Sequence, residues 1–145
     1  MKTQTLYRPI GKGELILIEE LNFDAFPPRL DWQPIFYPVL NQAYAENIAL
    51  DWNTKDEFSG YVGLVTKFNV NAEYAASFKV ENVGDKHHNE LWVPAEQMKT
   101  FNENIIGKIE IVKVFFGEKF ESGVHSLLDK LLTESVANDL NTKEK

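Results

Sequence analysis

Apolar and polar residues follow one another in short blocks whose period changes along the chain, and each period gives an element. Thr3–Arg8 alternates as a first strand, with Pro9 and the Gly11-Lys12-Gly13 turn expected to end it. In Glu14–Leu21 the apolar residues Leu15, Ile18 and Leu21 recur at helical spacing. Residues 23–34 hold Pro27, Pro28 and Pro34 among aromatics and predict an irregular, anchored connection. Ile35–Leu40 reads as a buried strand, and Asn41 as the N-cap of a helix over Gln42–Trp52.

Tyr61–Val70, rich in β-branched and aromatic residues, is the central-strand candidate. Asn71 caps a short helix through Ala76, Phe78–Glu81 is a further strand, and Asn82–Asn89 is a polar loop. Glu90–Pro94 is a short strand, with Pro94 at the first turn of a helix over Ala95–Phe101. Lys108–Phe116 alternates cleanly as the last strand. Phe120–Leu140 places Val124, Leu127, Leu128, Leu131, Leu132 and Val136 on a closing helix, and the tail Asn141–Lys145 is expected to be disordered. The sum is one α+β domain over residues 1–140, with a twisted, mostly antiparallel sheet flanked by short helices.

Composition narrows the classes. A chain of 145 residues, 43% hydrophobic and 26% charged, supports one hydrophobic core. With 22 acidic against 15 basic residues its net charge is −7, which repels phosphate backbones and anionic lipid, so neither nucleic acid nor a membrane surface is expected as partner. The absence of cysteine removes disulfides, thiol nucleophiles and cysteine metal sites. No apolar stretch follows the first charged residues, and the chain is read as cytoplasmic.

Candidate chemistry falls in three places. Tyr7-Arg8 at the end of the first strand offers a guanidinium fork for a carboxylate or phosphate, against the plainer reading of a surface arginine. Arg29 in the proline-rich loop reads equally as an anion site or a structural anchor. The aromatics Phe26, Trp32, Phe36, Tyr37, Tyr44, Trp52 and Tyr61 could stack a flat ligand or simply close the core. His87 and His88 lack a third ligand at metal-binding spacing, and no metal site is expected. Glu90 leads into an apolar strand, where a carboxylate can serve as base or acceptor or merely end the strand.

These residues carry a resemblance. Through Leu6-Tyr7-Arg8-Pro9, Ala25-Phe26-Pro27-Pro28-Arg29-Leu30, Pro34 to Asn41, Asp51-Trp52-Asn53-Thr54 and Leu91 to Glu96, the chain resembles short bacterial proteins labelled "ADP-ribosylation/crystallin J1", over about residues 1–115. More distantly, the order of its elements is similar to the ADP-ribosyltransferase fold. That likeness implies Arg8 on NAD, with Tyr7 beside it, Tyr37 at the motif supporting the nicotinamide ribose, and Glu90 as the catalytic carboxylate of an NAD-dependent transfer. The Ser-Thr-Ser pattern of that fold is absent from Phe36–Leu40, and His88 stands two residues before Glu90, so no acceptor is implied. The metal-binding aspartates of a crystallin J1 type hydrolase are likewise missing. Three readings follow: a nucleotide-binding transferase-like domain in which Tyr7, Arg8, Tyr37 and Glu90 converge, a non-enzymatic immunity or adaptor protein using its aromatic loop against a protein partner, and a homodimer paired through the last helix in place of a monomer.

Overall fold

The computed structural model describes residues 2–143, with side-chain surroundings through residue 135. Val62–Asn71 forms strand β3 in the middle of the main sheet, between β1 (Thr3–Ile10) and β7 (Ile105–Phe116), both antiparallel to it. Both faces of β3 are covered along its first half, where Val62–Val65 is continuously apolar, and burial alternates from Lys67 onwards. Val62, Leu64, Phe68 and Val70 join the main core with Leu6, Ile10, Phe26, Phe36 and Phe101. Val65 packs on the other side with Ala45 and Ala49 of helix α2 (Gln42–Asp51). A methyl group at Gly63 would collide with the Ala49 carbonyl, so glycine is what lets α2 lie directly on the sheet.

A second ladder extends the first. Residues 34–40 run antiparallel to residues 89–95 in one register: β2 (Ile35–Phe36) faces β6 (Val93–Pro94), and Val39 bridges Glu90 of β5 (Asn89–Leu91), which pairs with β4 (Val80–Asn82). The expected strands Ile35–Leu40 and Glu90–Pro94 are thus present as extended partners but broken into fragments. Prolines 34, 38 and 94 have no N–H to give, although the carbonyls of Pro34 and Pro38 accept from Ala95 and Leu91.

Val39 also bridges Tyr7, with two backbone hydrogen bonds of 2.8 and 2.9 Å, and so hangs the second ladder on the outer edge of β1. The next hydrogen-bonded pair along an antiparallel ladder would be Pro9 with Tyr37, and Pro9 has no donor. Here β1 and the 34–40 segment part. Pro9 does not end β1, as its sequence suggests, because its missing N–H points away from β3; pairing with β3 continues to Ile10 opposite Leu64.

Helix α1 (Lys12–Glu20) begins two residues earlier than its apolar spacing indicates. Asn41 caps α2 by accepting from the Tyr44 N–H, and Asn71 caps α3 (Ala72–Ala75). Pro94 stays in β6, and a single 3₁₀ turn, Ala95–Gln97, leads into α4 (Met98–Glu103). The closing helix α5 runs Ser126–Lys143, not from Phe120. Phe120 packs on Phe116 in the preceding turn, Val124 is exposed, and the His125 ring caps α5 by accepting from the Leu128 N–H while its other nitrogen meets Glu19 at 2.8 Å. Leu127, Leu128 and Leu131 reach the core as their spacing requires. The side chain of Val136 lies outside the described surroundings, as does part of the tail expected to be disordered. The architecture is a single α+β domain, and no helix among the described residues is long and apolar enough to cross a membrane.

Candidate functional site

A cleft of about 410 Å³ opens where β1 and the 34–40 segment separate. Arg8, Arg29, Tyr37, Trp52, Asn53 and Glu90 line it. They arrive from five parts of the chain: the end of β1, the proline-rich connection, the broken strand, the C-terminal end of α2, and β5. A larger concavity of about 460 Å³ lies beyond the end of α2, but its charges, Asp51, Lys55, Glu118 and Lys119, are of mixed sign, and of the sequence candidates only Tyr61 lines it.

Arg8 is held on three sides. Its carbonyl accepts from the buried Thr66 hydroxyl at 2.8 Å, its guanidinium lies 4.6 Å from the centroid of Phe36, and its Nε and Nη2 donate to the two carboxylate oxygens of Glu14 at 2.6 and 2.8 Å. The fork that was expected to hold a ligand anion is therefore already filled by a carboxylate. Arg8 belongs to the cleft as a wall and as a charge, with its Nε–Nη2 edge taken by Glu14.

Arg29 is different. Its loop is fixed from below, because the Asn102 amide both donates to and accepts from the Phe26 backbone, at 3.0 and 2.9 Å. Its guanidinium sits 5.8 Å from the Phe36 centroid. Among the described residues its buried Nε has no partner. Burial, and then the charge of Arg8, pull its pKa below the usual arginine value, against the opposing charges of Glu14 and Tyr37. A cation desolvated beside another cation, with a donor left over, favours an incoming anion.

On the opposite wall, Glu90 Oε2 accepts from Tyr44 Oη at 2.8 Å and Oε1 from the Trp92 indole N–H at 3.1 Å. Tyr37 meets Trp92 edge to face, and Tyr44 stacks on His88. Burial, followed by the hydrogen bond and charge of Glu90, pushes the Tyr44 phenol up to about 12. Because the folded pKa lies above the ordinary tyrosine value near 10, this phenol favours the fold fully below pH about 10, and that contribution is lost as pH rises through about 12. In an ultraviolet phenolate titration, Tyr44→Phe is expected to remove a late-ionising tyrosine. Glu90→Gln is expected to move that ionisation to lower pH; an unchanged alkaline limb in both variants contradicts the pairing.

Three of the four residues expected to converge, Arg8, Tyr37 and Glu90, do line one cleft. Tyr7 does not: alternation along β1 turns it to the face opposite Arg8, where it packs with Val39, Ala45 and Ala49 beneath α2. Asn53, which follows Trp52 at the end of α2 and stands in sequence only within the Asp51-Trp52-Asn53-Thr54 stretch of the resemblance, proves to be a cleft wall. No protein-family model, curated protein or solved structure matches this chain.

Proposed function

We propose that the protein binds NAD or a related nucleotide in this cleft, in the manner of an ADP-ribosyltransferase-like domain. The observation that carries the reading is the convergence of an unsatisfied, desolvated guanidinium, two aromatic rings and a positioned carboxylate on one concavity of ligand size. Arg29 takes the phosphate, since its Nε has no partner among the described residues, whereas the Nε–Nη2 edge of Arg8 is already engaged by Glu14. Tyr37 and Trp52 supply ring surface for a planar base. Glu90, held by Tyr44 and Trp92, faces a ribose, where it accepts a hydroxyl hydrogen bond and stabilises positive charge developing on the sugar during transfer.

Calorimetric titration of the wild-type protein with NAD, ADP-ribose and nicotinamide tests the reading. Saturable binding of the two phosphate-bearing ligands is expected, with nicotinamide alone much weaker. Silence from all three leaves the field to a second reading, a protein-binding module. That reading is favoured by Trp32 and Phe58, which are 75% and 95% exposed and serve no packing role that burial would reveal.

A further inference from the structure

Asn53 is 3% exposed, and the hydrogen bonds around it allow its amide only one orientation. The Ser59 hydroxyl gives its single proton to Asp56 Oδ2 at 2.6 Å, so Ser59 Oγ has only acceptor capacity left. It accepts from Asn53 Nδ2 at 3.0 Å. The amide nitrogen is therefore fixed towards Ser59 and the carbonyl oxygen is turned away from it, where no donor among the described residues reaches it. Buried side-chain oxygens nearly always have a partner. Among the described residues, the buried polar side-chain atoms without one are Asn53 Oδ1 and Arg29 Nε, an acceptor and a donor, and both residues line the same cleft.

We infer that Asn53 is a specificity-determining residue whose Oδ1 accepts from a neutral N–H or O–H of the ligand while Arg29 holds its anionic group. This rests on the nucleotide reading above and narrows it. The ligand class is a phosphate ester that presents an exocyclic amine or a sugar hydroxyl to Asn53. A carbonyl or carboxylate in that place would set acceptor against acceptor and be rejected, and an analogue with no polar group there would leave Oδ1 unsatisfied.

The test is calorimetric titration with AMP, purine riboside 5′-monophosphate, which lacks the exocyclic amine, and 2′,3′-dideoxy-AMP, which lacks both sugar hydroxyls. Wild-type protein is expected to prefer AMP by about tenfold or more over one of the two analogues, and which one identifies the donor that is read. Asn53→Ala is expected to bring AMP down to the level of that analogue while leaving the analogue's own binding within about twofold. If Asn53→Ala does not fold, Ser59→Ala decides, because it frees the amide to turn: a narrowed preference supports the inference and an unchanged one overturns it. Equal binding of all three probes by the wild type, or a preference that survives Asn53→Ala, overturns the role of Asn53 and leaves the cleft a nucleotide site. Failure of the wild type to bind these probes, NAD or ADP-ribose overturns both.

Discussion

Replacing Arg29 by alanine is expected to weaken nucleotide binding by about 10- to 150-fold, the value of one charge-assisted hydrogen bond, and to leave the fold at least as stable as before. The two readouts diverge for one reason. Arg29 is partly desolvated, lies near the like charge of Arg8, and has an Nε with no partner, so the empty protein gains little from keeping it. Its compensation comes only with an anion. Arg29→Lys keeps the charge without the planar fork and is expected to fall between alanine and wild type. Titration calorimetry and thermal melts on the same preparations check this; a lower melting temperature with binding intact would make Arg29 a structural anchor and sink its assignment as the anion holder.

Phe36→Ala is expected to cost about 3–5 kcal/mol, a large part of the roughly 5–15 kcal/mol that holds a domain of this kind folded. The ring is fully buried and meets Phe26 and Phe101 with centroids 5.1 and 5.4 Å away, and Arg8 and Arg29 both lie over it. Its removal opens a cavity under the floor of the cleft and takes away the ring face that orients two guanidinium groups. Denaturant unfolding should show the midpoint falling with an unchanged slope. Phe36→Leu refills most of the space without a ring face. It is expected to restore most of the stability and little of the ligand affinity; recovery of both would mean that Phe36 serves packing alone.

Much of this was readable from residue pattern. The β-branched and aromatic content of Val62–Val70 marks the central strand, Asn41 and Asn71 act as the caps their positions promise, and the leucines of α5 reach the core at their helical spacing. What escaped depends on how the elements turn in space. Glu14 lies only six residues from Arg8, but that it takes the Arg8 fork depends on the direction in which α1 leaves β1. The Asn102 clamp on Phe26 joins residues 76 apart and leaves no local trace, yet it fixes the loop that delivers Arg29. Tyr7 was grouped with Arg8 as its neighbour, whereas adjacency in a strand is what sends two side chains to opposite faces. The fragmentation of the second ladder could have been anticipated from Pro34, Pro38 and Pro94, had each been weighed by the donor it lacks.

Pro9 carries the same lesson further. An edge of sheet left open beside a compatible extended segment tends to zip shut, and a cleft made that way would have to be pried apart for each ligand. Here the segment that could close it, around Tyr37, meets a residue with no hydrogen to offer. The opening is written into the covalent chemistry of the chain. On the nucleotide-binding proposal, a ligand enters a gap already formed, so discrimination between ligands is expected to fall on dissociation rates more than on association rates.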